Sequence, residues 1–326
     1  NTENTRMYAI ADEKCLFITC GVQGFNNNAD NYYYGWDNIV NYLEVERQKA
    51  KLSIKDCKRI AENVDGTILT GDVFHQPRAN AVSHSLVSRV INVFRDWPTP
   101  IMAIAGNHDM PEAGFKAIEK QPLYVLKNSG VIDLRHQSSM WMQDKTTCIQ
   151  FFSYDTNNLD KYKLKRPKNC KHHILVCHDM IMPEGDYPYE YISQEWIADN
   201  ADYDAVFWGH IHHDLGTRKV RNTLFTSAGS LVRISRSTEN RNRQMRVAIL
   251  NVEETLSVDF ATLTSARSFD DVFIFNEFST KGKEKYSEYI DKIASFQLDS
   301  TDIDTYLTNL QESDTLKNKV REYIYA

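Results

Sequence analysis

The sequence predicts an α/β fold in which strands pack on strands and helices cover the outside. Three observations carry this. Short apolar runs rich in β-branched residues recur along the chain, several ending in polar residues or Gly. Helix-like stretches separate the early runs, and the alternation holds to about residue 120. After about residue 130 the runs crowd together with fewer helices between them.

In chain order, Cys15–Thr19 reads as a first buried strand. The Asn- and Tyr-rich segment Gly24–Tyr34 reads as an irregular loop. Trp36–Gln48 and Ser53–Asn63 read as helices, the second opening on Ser53 and Asp56, which resemble an N-cap pair. Gly66–Thr70 is the next strand. In the helix expected over Asn80–Trp97, Val82, Leu86, Val90, Val93 and Phe94 recur at helical spacing and make an apolar face. Pro100–Ala105, His173–Cys177 and Ala205–Trp208 are further buried strands, with His172 and His173 expected to cap or be solvated. Leu224–Ser227, Met245–Leu250 and Leu256–Phe260 read as antiparallel strands. From Lys281 the pattern turns helical, with stripes at Tyr286, Tyr289, Ile290, Ile293 and Phe296 and at Leu316, Val320, Tyr323 and Ile324.

A length of 326 residues favours one large domain plus an appendage, expected at 1–267 and 268–326. The apolar fraction of 42% and charged fraction of 25% are those of a globular protein, which excludes disordered, collagenous and disulfide-scaffold classes. No apolar run reaches the roughly 18–20 residues a membrane span needs. The first six residues, NTENTR, lack a secretory pattern and an initiator Met, so a trimmed start is expected. Six cysteines without paired spacing point to a reducing, intracellular compartment. The net charge of −6 is uneven: residues 268–326 carry 12 acidic and 7 basic residues, leaving the body near neutral. A nucleic-acid-facing groove in the body is therefore neither excluded nor supported.

The chemistry lies just past the strand ends. Gly71-Asp72-Val73-Phe74 comes after one strand, Gly106-Asn107-His108-Asp109 after a second, His178-Asp179 after a third and Gly209-His210-Ile211-His212-His213 after a fourth. Four strands thus deliver oxygen or imidazole donors at their C-terminal ends, where sites in parallel layers are built. Asp, Asn and His together suit a divalent ion such as Mn, Fe or Zn, and the lack of thiolates disfavours structural zinc.

These motifs resemble the calcineurin-like metallophosphoesterase superfamily, and within it most resemble SbcD-type nuclease subunits of double-strand-break repair complexes, over about residues 15–265. The resemblance implies a four-layer β-sandwich flanked by helices, with a small C-terminal α-rich appendage. It implies that Asp72 bridges two Mn2+ ions, that Asn107, His178 and His210 complete one shell, and that His212 serves the other. His108 would then act beside the scissile phosphate; its alternative is an orienting residue. The first motif of the superfamily, Asp-x-His, departs here: Gly21 and Gln23 occupy its places, and the alternative register of Cys20 and Val22 restores neither ligand. One ion should keep its shell and the other should be largely lost, so hydrolysis is weakened or absent as written. Natural loss of catalysis, introduced changes, or replacement by Asp30 would each account for this.

Residues 161–171 carry six basic groups, among them Lys165, Arg166 and Lys168, and Arg233, Arg236, Arg241, Arg243 and Arg246 form a second cluster. Either could contact phosphates or be a solvated loop. Tyr187, Tyr189 and Tyr191 could stack on bases, with strand packing the blander expectation. The resemblance further implies DNA ends as substrate, a homodimer, and C-terminal helices that dock an SbcC-type coiled-coil ATPase. It implies a cytoplasmic setting, nucleoid-associated in a bacterium or phage, with no membrane. A non-catalytic DNA-end-binding or partner-holding subunit and a small-ester metallophosphoesterase are the alternatives.

Overall fold

The computed structural model describes residues 14–18, 54–74, 82–155, 159–231, 241–266 and 268–269. The chain divides into two units, Asn1–Ile274 and Phe275–Ala326, and the second lies outside the described residues. So do the expected loop Gly24–Tyr34, the helix Trp36–Gln48 and the acidic helical stripes.

Fourteen strands appear among the described residues. β1 (Lys14–Ile18), β2 (Gly66–Leu69), β3 (Ile101–Ala103) and β4 (Asp133–Leu134) run parallel. β13 (Arg246–Val252) and β14 (Leu256–Thr262) add antiparallel strands at one edge, giving the order β14-β13-β1-β2-β3-β4. The second sheet has the order β11-β12-β10-β7-β6-β5. Its centre, β12 (Thr223–Ser227), β10 (Ala205–Gly209), β7 (His172–His178) and β6 (Thr147–Phe152), is parallel. β11 (Gly216–Val220) and β5 (Ser138–Trp141) close the edges antiparallel. β8 (Ile181–Met182) and β9 (Ile192–Ser193) form a small separate pair.

Parallel neighbours need crossovers, and the amphipathic segments supply them. Helix α1 (54–61) precedes β2, α2 (His84–Arg95) joins β2 to β3, α3 (Pro122–Asn128) joins β3 to β4, and α4 (Gln194–Asn200) lies between β9 and β10. α2 starts where Ser83 Oγ accepts from the Leu86 N–H at 3.2 Å, and it buries Leu86, Val90 and Phe94. α1 buries Ile54, Cys57, Ile60 and Ala61 against the same sheet. Ser53, the expected cap, is outside the described residues. Asp56 is buried and accepts from the Ser265 N–H at 2.6 Å, tying α1 to the chain beyond β14.

The apolar residues sort into three layers. Ile68, Met102, Ala248 and Leu250 of the first sheet meet Ile149, Phe151, Ile174, Val176 and Phe207 of the second. A second cluster lies between the first sheet and α1–α3, and a third, with Trp208, Ile197 and Tyr162, between the second sheet and α4. The order helix, sheet, sheet, helix is the four-layer sandwich the motifs imply.

Two expectations are corrected. His172 and His173 belong to β7 and are buried; His172 Nε2 lies 2.9 Å from the Glu253 carbonyl and His173 Nδ1 2.6 Å from that of Asp202. Carbonyl partners allow imidazoles to extend a buried strand that apolar counting alone starts too late. Tyr187, Tyr189 and Tyr191 lie in the loop between β8 and β9, where they pack on each other, with Tyr187 5.7 Å from Tyr189 and 5.0 Å from Tyr191. Gly185 and Pro188 break any strand there. Cys57, Cys148, Cys170 and Cys177 are buried and form no disulfide. Among the described residues no helix is long and apolar enough to cross a membrane.

Candidate metal centre

The two sheets present their parallel C-terminal ends at one rim. From the first sheet, Asp72 leaves β2 and Asn107, His108 and Asp109 form a 3-10 turn after β3. From the second, His178 ends β7, and His210 comes directly after β10. β2 neighbours β3 and β7 neighbours β10, so each sheet contributes an adjacent pair of strands.

The donors meet edge to edge. His178 Nε2 is 3.4 Å from Asp72 Oδ2 and 3.0 Å from Asn107 Oδ1, and His210 Nδ1 is 2.9 Å from the same Asn107 oxygen. On the far side of its ring His178 Nδ1 donates to the Thr70 carbonyl at 2.7 Å, which turns Nε2 toward the two oxygens. Asp72 and His178 are buried, while Asn107, His108, His210 and His212 are half-buried and open the cluster on one side.

The backbone is shaped for this. Asp72 and His210 adopt left-handed conformations, with φ of 52° and 91°. Side-chain-bearing residues in that region are uncommon and concentrate at functional sites. At Gly106, with an ordinary φ of −88°, the constraint is space: a Cβ would lie against the Asp72 carboxylate and 2.6 Å from His178 Cε1. Asp109 braces the loops. Its carboxylate accepts from the N–H groups of Val73 at 3.1 Å, Phe74 at 3.0 Å and Gly106 at 3.1 Å.

The electrostatics suit a cation. Burial would raise the Asp72 carboxyl, yet the charge and hydrogen bond of His178, with His108 assisting, hold it well below the usual carboxylate range. Burial opposes charge on His178, but the Asp72 carboxylate outweighs it and raises this imidazole. Burial pushes His210 down to about 4, with His178 adding to the effect, and pushes His212 down to about 4 against the pull of Asp72. Burial and the Asp72 charge raise Asp109 despite its three N–H donors.

Among the described residues, no three His, Cys, Asp or Glu side chains by themselves form a group ready to hold an ion. The set is linked through the amide oxygen of Asn107. Donors sharing an ion at about 2.1 Å stand roughly 3.0–3.4 Å apart, which is the spacing of these contacts. With Nδ1 of His178 donating to a carbonyl, Nε2 is the nitrogen turned to Asp72 and Asn107, and it would become a ligand where a cation takes the place of its proton. Asp72, Asn107, His178 and His210 therefore fit one divalent ion. For a second ion the chain offers Asp72 and His212; Gly21, Gln23 and Asp30 lie outside the described residues.

Arg243, for which phosphate contact and a solvated loop are both open in the sequence, has a different place from either. It is buried, and its guanidinium donates to the carbonyls of His212 and Ser230, which fixes the loop that carries His210 and His212. Arg246 pairs with Asp214 at 2.5 Å. Arg166, expected to meet phosphate, instead donates to Asp204 at 2.7 and 2.9 Å, to Asp202, and to the Lys171 carbonyl. Lys165 and Lys168 are exposed; Arg233 and Arg236 lie outside the described residues. Sequence reasoning missed Tyr154. Its ring is 5.8 Å from His210 in a stacked pose and 6.1 Å from His178 edge-on. The signal available was one more strand end, Phe151-Phe152-Ser153, directly before it.

Residues 29–214, more than half of the chain, match the family described as calcineurin-like phosphoesterase. Among solved structures, TT1561 of Thermus thermophilus is similar at 10% identity and a TM-score of 0.43, covering 77% of this chain and 99% of that one. A second crystal structure is similar at 13% identity and a TM-score of 0.42, with the same coverage. The chain belongs to the calcineurin-like phosphoesterase family.

Proposed function

We propose that the protein is an SbcD-like, Mn2+-dependent DNA phosphodiesterase subunit of end processing and repair, with hydrolysis weakened by the loss of its first ligand pair. The observation that carries the phosphoesterase part is the meeting of Asp72, Asn107, His178 and His210 at 2.9–3.4 Å on one rim. Asp72 and His178 form the buried floor, and Asn107 and His210 the open side. His178 keeps its ligating nitrogen forward through Thr70. His108 stands beside the phosphate, its N–H already on Asp72 Oδ1 at 2.9 Å. When bound, a divalent ion supplies neutralisation of phosphate charge. DNA as the substrate is supported by the nuclease-like motif text, by exposed Lys165 and Lys168, and by ring faces in the exposed tyrosine loop. In this reading the subunit works inside the cell, pairs with a second copy, and holds a coiled-coil ATPase through its C-terminal helices.

A second reading, a non-catalytic DNA-end-binding subunit, is favoured by Gly21 and Gln23 standing where Asp and His are expected. Bound Mn2+ per chain and Mn2+-dependent cleavage of duplex ends, compared between this sequence and Gly21→Asp/Gln23→His, separate the two. A second ion and strong cleavage in the double variant support the nuclease reading. End binding without cleavage by either protein supports the second. Hydrolysis of small esters alone overturns both.

A further inference from the structure

Directly behind His178 lies a buried charged network that the phosphoesterase chemistry does not use. Lys161 is 1% exposed and pairs with Asp179, itself 3% exposed, at 2.5 Å. The same Asp179 oxygen accepts from the Tyr162 hydroxyl at 2.6 Å. Lys161 Nζ also donates to the Asp155 carbonyl at 3.2 Å, and the Tyr203 hydroxyl donates to the Lys161 carbonyl at 2.8 Å.

A buried ion pair is weak evidence for stability, because well-packed apolar groups of the same volume often serve as well or better. The arrangement of this one suggests another role. β6 and β7 are neighbours, and their exits carry Tyr154-Asp155 and His178-Asp179. Lys161 grips the side chain of Asp179 on one exit and the backbone of Asp155 on the other. Tyr154 is anchored on its second side by its own N–H, which donates to the Ala105 carbonyl at 2.8 Å, just before the Asn107 turn. Its ring is held across both imidazoles at the open side of the cluster.

We propose that Lys161 is a positioning residue: through Asp179 and Asp155 it sets the distance between two strand exits, and so holds the Tyr154 ring over His210 and His178 as the substrate-facing wall. The functional meaning of that wall rests on the phosphoesterase reading above; the positioning itself does not. The test uses the full chain with Lys161→Met/Asp179→Leu, which removes both charges together, beside Tyr154→Leu. Imidazole proton resonances are recorded without metal, and Mn2+ is then titrated. In the folded paired variant the His210 ring protons should move in the same direction as in Tyr154→Leu, as the stacked ring is lost, and Mn2+ affinity should fall several-fold. Should the apolar pair fail to fold, Lys161→Gln/Asp179→Asn is read in the same way. Parental His210 resonances in a folded paired variant overturn the proposal. A parent that binds no Mn2+ overturns the metal-centre reading instead, and the metal-free resonances still decide this one.

Discussion

The backbone N–H of His108 donates to Asp72 Oδ1 at 2.9 Å, joining loops 36 residues apart in the chain. That contact aims the other oxygen, Oδ2, toward His178. It depends on Asp109, whose carboxylate ties the same two loops from behind. Asp109→Asn presents an amide N–H2 to at least one of three buried N–H donors. A loss of about 2 kcal/mol is expected, read as a lower midpoint in urea unfolding. Unchanged stability would show that Asp109 does not brace the loops.

Gly106→Ala places a methyl group against the Asp72 carboxylate and the His178 ring. The backbone there is acceptable for any residue, so crowding alone acts. Overpacking of this kind costs about 1–3 kcal/mol. Mn2+ affinity, measured by titration, should fall at least tenfold, because the crowded groups are proposed ligands.

Arg243→Met removes a guanidinium from the carbonyls of His212 and Ser230. Hydrogen bonds from charged groups are worth about 1.5–3 kcal/mol, and a loss of that order is expected in thermal unfolding. If the protein binds DNA as proposed, the salt dependence of that binding should keep its slope. A phosphate-contacting Arg would instead lower that slope by about one when removed.

The turn between β5 and β6 offers a pH test remote from the rim. Asp144 accepts from the N–H groups of Thr146 and Thr147 at 2.9 and 3.0 Å and from both hydroxyls at 2.7 Å. Slight burial would raise this carboxyl, but the threonine hydrogen bonds lower it to about 2. A depressed carboxyl contributes stability that is present above its unfolded pKa and lost as pH falls through its folded one. Asp144→Ala should therefore melt below the parent at neutral pH, with the gap narrowing between about pH 4 and pH 2. A gap independent of pH would contradict this.

The ends of the parallel strands were legible because β2, β3, β7 and β10 are apolar runs that stop at Gly or at a donor. Asp72, Asn107, His178 and His210 were legible for the same reason. Arg166 and Arg243 were not, since a basic run does not reveal the acids and carbonyls that meet it from distant segments, such as Asp204 or His212. Tyr154 escaped because a single aromatic after a strand has no pattern of its own; the partners that give it meaning, His178 and His210, are 24 and 56 positions away. The imidazoles of β7 were misjudged because a carbonyl meets one nitrogen of each ring, and the placement of carbonyls leaves no mark in composition.

Since Asp72 and Asn107 ride on one sheet and His178 and His210 on the other, the contact between them is a rivet through the sandwich. Sliding of either sheet along its neighbour would pull the rivet apart before it disturbed the apolar layer beneath. A substitution deep between the sheets, far from any donor, can thus silence the rim by changing how the two layers line up.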